Sequence, residues 1–184
     1  MKNIGILASG SGSNAVKILE YFKDSEVAKV AGVFSNKPKA PVLEKFLERD
    51  ENAFYFESNA ELIEMLKGQE VDFIVLAGYL KLIPAELTAQ FPNAIVNIHP
   101  ALLPKYGGKG MYGHHVHKAV KDNQESLTGI TIHYVNEVYD EGEVIFQAEV
   151  NLKPEDSVKD IIKKVQVLEH EHYAVEIERL LKNQ

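Results

Sequence analysis

Two side chains suited to handling a developing negative charge stand two residues apart in Asn97-Ile98-His99-Pro100. The apolar run Ala94-Ile95-Val96 before them reads as a buried strand. Side chains alternate faces along a strand, so Asn97 and His99 point to one side. Pro100 lacks an N–H and halts sheet pairing, which puts both polar groups at the strand's end. An amide donor beside an imidazole suits a carbonyl becoming a tetrahedral oxyanion. A capped strand end with a hydrogen-bonded core histidine is the other reading of the same residues. Asp140-Glu141-Gly142 supplies a carboxylate further along the chain. If its loop shares a sheet edge with Asn97 and His99, Asp140 would favour the imidazolium and make His99 a proton donor near neutral pH. Asp-x-Gly is equally an ordinary turn composition.

A second group of residues, Ser9-Gly10-Ser11-Gly12-Ser13-Asn14, follows an apolar stretch and precedes a helical pattern. Glycines let the backbone turn tightly, and a helix start presents free N–H groups to an anion. Gly10, Gly12 and Ala15 fit the permissive dinucleotide fingerprint, but the position that should carry a ribose-binding acid reads Phe34-Ser35-Asn36-Lys37. A single phosphate on Gly12, Ser13 and Asn14 fits better than a nicotinamide dinucleotide, with helix capping by Ser13 or Asn14 as the plainer alternative. His114, His115 and His117 lack the i, i+4 pairing of a helical zinc site and have no nearby acid or cysteine, so no metal site is expected. The glycines at 107, 108, 110 and 113 describe a flexible loop instead. Gly78-Tyr79-Leu80-Lys81-Leu82-Ile83-Pro84 offers either an apolar wall for a flat heteroaromatic ligand or plain core packing.

The elements that must hold these groups alternate along the chain. Strands are expected at 3–8, 28–34, 53–56, 72–77 and 95–98, and helices at 15–23, 41–48, 59–67 and 116–121. Strands at 129–135 and 143–150, joined by a seven-residue loop carrying Asp140, read as an antiparallel pair. Ser157 and Asp160 resemble a capping box opening a long helix to about residue 181, striped by Val158, Ile161, Ile162, Val165, Leu168 and Tyr173. The pattern predicts an α/β fold, a doubly wound mostly parallel sheet with a mixed antiparallel edge, and ligands beyond the carboxyl ends of the parallel strands. The 184 residues suit one domain. A formal charge of −7 argues against a nucleic-acid partner. No run is long enough to span a membrane, the apolar stretch near Met1 is too short for a signal peptide, and cysteine is absent. A cytoplasmic protein is expected.

Taken in order, Ser9 to Asn14, Val33-Phe34-Ser35-Asn36, Leu76-Ala77-Gly78-Tyr79, Asn97 to Pro104, Thr128 to His133 and Asp140-Glu141-Gly142 resemble the phosphoribosylglycinamide formyltransferase family. The resemblance runs over residues 4–173 and implies a Rossmann-like formyltransferase fold, with residues 1–184 as a single formyltransferase domain. It implies transfer of the formyl group of 10-formyltetrahydrofolate to glycinamide ribonucleotide in purine biosynthesis. The folate would be a co-substrate, with no tightly bound cofactor and only small molecules as partners. Gly12, Ser13 and Asn14 would hold the ribonucleotide phosphate, and Gln166 and Glu169 its glycinamide end. Leu80, Lys81, Leu82 and Ile83 would border the pteridine pocket, with Asn97, His133 and the Asp140 loop across from them. His99 would be the general acid, Asn97 would stabilise the oxyanion, and Asp140 would raise the His99 pKa. Two departures stand out: Glu57-Ser58-Asn59-Ala60-Glu61 is short and acidic where many members carry a longer segment with arginine, and Lys81 replaces a frequent arginine. A formyltetrahydrofolate hydrolase would use the same Asn97, His99 and Asp140 with water as acceptor. The start of the chain almost at its first strand leads us to expect no regulatory domain of the kind such hydrolases carry.

Overall fold

The computed structural model describes residues 1–183. Its strands are β1 (Lys2–Leu7), β2 (Ala28–Ser35), β3 (Ala53–Tyr55), β4 (Phe73–Leu76), β5 (Ile95–His99), β6 (Leu127–Tyr134) and β7 (Val144–Asn151). Its helices are α1 (Ser13–Phe22), α2 (Pro41–Leu47), α3 (Asn59–Gly68), α4 (Ala85–Gln90), α5 (His114–Asp122) and α6 (Val158–Lys182). One sheet in the order β3-β2-β1-β4-β5-β6-β7 runs through the molecule. The first five strands in that order are parallel, whereas β6 and β7 are antiparallel to their neighbours. This is the expected doubly wound sheet with a mixed edge.

The strand order reverses between β1 and β4, so the loops leaving these two strands part to opposite faces and leave a crevice at their carboxyl ends. All four residues of β4 are buried, as a parallel strand covered on both faces requires. One face packs Ile4, Ile6, Val75 and Val96 under α1 and α6, including Phe22, Val165 and Ile177. The other packs Leu7, Ile74 and Ile95 against Leu62 and Leu66 of α3 and Leu87 of α4.

Helix α6 carries the expected capping box between Ser157 and Asp160. Of its expected stripe Ile161, Val165 and Tyr173 are buried, while Val158, Ile162 and Leu168 are half-buried. The Tyr173 hydroxyl donates to the carbonyl of Leu76 at 2.9 Å, and the Val96 carbonyl lies 3.3 Å away. That fully buried phenol fastens α6 to the carboxyl end of β4 and to the start of β5. Helix α4 was not expected. At six residues it is too short for a helical period to show, and Pro84 at its N-cap reads as a break rather than a start.

Candidate active site

The residues singled out in the sequence meet around one cavity of about 630 Å³ at the carboxyl ends of β1, β4 and β5. Its walls include Gly12, Ser13 and Asn14 at one end, the segment Leu80 to Ile83 along one side, and Asn97, His99, His133 and Asp140 at the other end.

Neighbouring strands build the second end. Asn97 of β5 lies opposite His133 of β6 and His99 opposite Thr131, so the alternation that puts Asn97 and His99 on one side also brings His133 there. The Asn97 amide nitrogen is 3.1 Å from His133 Nε2. His133 Nδ1 donates to the Tyr134 carbonyl at 2.8 Å, which in the neutral ring leaves Nε2 to accept from Asn97. Only one Asn97 amide proton is used in this way, and the second is available to the cavity.

His99 is almost wholly buried, at 3% exposure. Its Nε2 donates to the Tyr106 carbonyl at 2.8 Å, and its Nδ1 stands 3.5 Å from Asp140 Oδ2. Asp140 Oδ1 lies 3.6 Å from His133 Nε2, and Oδ2 accepts the Gly108 N–H at 2.9 Å. Asp140 takes a left-handed φ of 58°, and a side chain on Gly142 would collide with the Tyr134 carbonyl 1.7 Å away. The glycine of Asp-x-Gly therefore lets the loop close onto β6, and the closure aims Asp140 at both histidines.

Burial pushes Asp140 upward, but the neighbouring His133 and His99 rings and the Gly108 N–H outweigh it and hold the carboxyl below its ordinary range. For His99 the balance falls the other way. Burial lowers it more than the Asp140 charge and the Tyr106 carbonyl raise it, and His133 adds to the lowering. Asp140 thus acts in the expected direction, but the expectation of a His99 raised by its carboxylate is corrected: the resting ring is biased towards the neutral form because it is almost out of water.

The turn end is shaped by backbone. Gly12 is the N-cap of α1 with φ 71°, and a Cβ there would lie 2.1 Å from Val42. No side chain caps this helix and no acid occupies its first turn, so the first N–H groups of α1 are left to a ligand. Neither Ser13 nor Asn14 caps the helix. Asn14 Nδ2 instead donates to Glu169 at 2.9 Å, and the Gln166 amide reaches Ser13 Oγ at 3.4 Å. Glu169 lines the cavity and Gln166 stands behind the turn. Burial raises the Glu169 carboxyl despite the Asn14 hydrogen bond. Among the side-chain polar atoms buried without a partner is Asn14 Oδ1.

Along the side wall Leu80 and Leu82 are exposed and Ile83 is buried, so the stretch is both rim and core packing. Residues to which the sequence motifs assigned no individual role tie the parts together. Ser9 N–H donates to Gly78 O at 3.1 Å, its hydroxyl donates to Asn36 at 2.7 Å, and the same hydroxyl accepts Leu80 N–H at 3.2 Å. Thr131, fully buried, bonds Ala101 O at 2.7 Å and Leu103 N at 2.9 Å, fixing the chain that follows Pro100. Nothing in a lone hydroxyl residue announces such a role. His117 also lines the cavity, while His114 and His115 are exposed, and no group of potential metal ligands gathers among the described residues.

Residues 2–177 match the formyl transferase family. The phosphoribosylglycinamide formyltransferase of Arabidopsis thaliana chloroplasts is 40% identical over 94% of this chain, which spans 63% of that protein's length. A second plant relative, from Vigna unguiculata, is 38% identical, and the chain spans 61% of it. The Haemophilus influenzae phosphoribosylglycinamide formyltransferase is 36% identical over 96% of this chain and 86% of its own length. The crystal structure of glycinamide ribonucleotide transformylase 1 from Symbiobacterium toebii superposes with a TM-score of 0.91 at 32% identity, covering 100% of this chain and 89% of that one. The likeness takes in the sheet, the glycine turn and the Asn97 to Pro104 strand end alike, and the chain belongs to the formyl transferase family.

Proposed function

We propose that this protein transfers the formyl group of 10-formyltetrahydrofolate to the amine of glycinamide ribonucleotide, releasing tetrahydrofolate and formylglycinamide ribonucleotide for purine biosynthesis. The observation that carries this reading is the meeting of Asn97, His99, His133 and Asp140 at one end of a cavity whose other end is an uncapped helix start. The first is a place for a carbonyl to become tetrahedral, and the second is a place for a phosphate. Gly12, Ser13 and Asn14 hold the phosphate, with Gln166 and Glu169 towards the glycinamide end. Leu80, Lys81, Leu82 and Ile83 line the pteridine side, with Asn97 and His133 facing them.

The acceptor amine attacks the formyl carbon, forming a C–N bond as the carbonyl π electrons move to oxygen. The free amide proton of Asn97 donates to that oxyanion. His99 enters neutral, with Nε2–H held by Tyr106, so Nδ1 takes the proton shed by the attacking nitrogen. Asp140 stabilises the imidazolium so formed. Collapse breaks the bond to N10, and Nδ1 returns the proton to that nitrogen. His99 is then base and acid in turn, the role that a lowered resting pKa favours.

Residues 1–184 act as one formyltransferase domain on small molecules in the cytoplasm, with no tightly bound cofactor, nucleic acid or membrane. The net charge of −7 disfavours a nucleic-acid partner, and among the described residues no helix is long and apolar enough to cross a membrane. The test is turnover of 10-formyltetrahydrofolate followed by absorbance, with and without glycinamide ribonucleotide. Turnover that requires the ribonucleotide is expected. Turnover indifferent to it would make the protein a hydrolase, and none at all would remove the reading.

A further inference from the structure

His99 and Asp140 are both held by one short strap of backbone. Tyr106 presents its carbonyl to His99 Nε2 at 2.8 Å, and two residues later Gly108 gives its N–H to Asp140 at 2.9 Å. Tyr106 does this from a left-handed φ of 58°, which L side chains rarely adopt. A residue in such a conformation persists only where its surroundings hold it there. The hold is visible outside the cavity. The Tyr106 hydroxyl donates to Glu125 at 2.7 Å and accepts from the Asn123 amide at 2.9 Å, and Lys105 pairs with Glu125 at 3.0 Å. Asn123 is the C-cap of α5 and Glu125 lies in the turn that leads into β6, so the anchor is built on two regular elements.

We propose that Glu125 and Asn123 are positioning residues that act through Tyr106 on the His99 ring. By fastening the Tyr106 phenol they keep its carbonyl aimed at Nε2 and thereby select the ring form with the proton on Nε2. A carbonyl oxygen can only accept, so this bond leaves Nδ1 as the nitrogen facing Asp140 and the reacting atoms. Released from its anchor, the strap relaxes to an ordinary φ, its carbonyl turns away, and the ring is free to place its proton on Nδ1 against Asp140. That form has no lone pair on Nδ1 for an incoming amine proton.

The inference deepens the formyl-transfer reading and rests on it for its kinetic consequence, but the ring form can be measured without any substrate. The experiment is nitrogen-detected NMR of protein labelled in the histidine rings, combined with formyl-transfer kinetics, on wild type, Tyr106→Phe, Glu125→Leu and Glu125→Gln. In wild type the His99 signals should report Nε2–H. Tyr106→Phe and Glu125→Leu should mix the two forms and lower kcat roughly tenfold, while KM for either substrate stays within about twofold. Glu125→Gln keeps an oxygen acceptor for the phenol and should restore both readouts, although it loses the pair with Lys105. Unchanged ring signals in Tyr106→Phe and Glu125→Leu overturn the inference, as does a loss that Gln fails to rescue. A wild type that shows Nε2–H but no formyl transfer would instead count against the proposed reaction while leaving the strap's effect on His99 readable.

Discussion

The two ends of the cavity solve different problems with different materials. At the turn end the structure presents N–H groups at the start of α1, shaped by Gly12, with the Lys45 ammonium held on the Ser11 carbonyl at 2.8 Å. At the strand end it concentrates ionisable groups, with His99 and His133 each within 3.6 Å of Asp140 and both rings nearly out of water. A backbone site is rigid, indifferent to pH, and costs little when empty. A cluster of buried titratable groups is responsive, and it costs stability because each charge gives up hydration. Binding can rest on the first kind of site, but moving a proton needs the second.

The sharpest way to break this contrast is at His99. His99→Ala should lower kcat by about 10²–10⁴-fold, the usual range for a positioned proton-transfer group, with the ribonucleotide KM little changed. Far-ultraviolet circular dichroism should match wild type, since the ring leaves a site already lined by polar groups. A comparable rise in the ribonucleotide KM would mean that the two ends are not separable.

Next in size is an effect of pH on folding that belongs to the strand-end wall. Burial lowers His117 from 6.5 to about 4, with His114 and His99 adding to the shift. The unfolded chain therefore binds a proton that the native ring refuses, so stability is complete above pH 6.5 and falls as pH drops towards 4. The loss amounts to roughly 3 kcal/mol at most. His99, lowered by burial, and Asp140, lowered below 3.8, pull in the same direction, the latter in more acid solution. Urea unfolding across this range should show the slope, and His117→Gln should remove most of it. A slope that survives the substitution would assign the acid sensitivity elsewhere.

The same contrast explains what could be read in the sequence. Asn97 and His99 were legible because alternation and a following proline are local signals, and the glycine turn was legible because only glycine carries φ 71° so close to Val42. The sheet followed from the order of apolar runs. The net pKa of His99 was not legible, because it depends on how completely segments far apart in the chain exclude water from one ring. Gln166 and Glu169 entered only through family resemblance. Asn14 and Glu169 are 155 residues apart in the chain, and nothing local marks a helical Gln/Glu pair as the partner of a distant turn. Helix α4 was too short to show a period, and Tyr106 carried no hint of its backbone conformation.

At the turn end the larger test is Gly12→Ala. A Cβ would have to accept a left-handed φ and push Val42 aside, for about 2 kcal/mol of stability. The ribonucleotide KM should rise well before the folate KM, as read from initial rates with each substrate varied in turn. Equal changes in both would deny the turn its separate role.

The smallest effect should come from Gln166. Its amide meets Ser13 Oγ at 3.4 Å, a long contact, whereas Asn14 meets Glu169 at 2.9 Å with the carboxyl largely shielded. A neutral hydrogen bond near the limit of length contributes less than about 1 kcal/mol, so Gln166→Ala should raise the ribonucleotide KM by less than about fivefold and leave kcat alone. Glu169→Ala should do more, because it strips Asn14 Nδ2 of its acceptor beside an Oδ1 that already has no partner. Calorimetric titration with the ribonucleotide ranks the two directly. If Gln166→Ala proves the more damaging, its contact with the ligand's glycinamide end outweighs its bracing of Ser13. The backbone account of that end would then need a side chain at its centre.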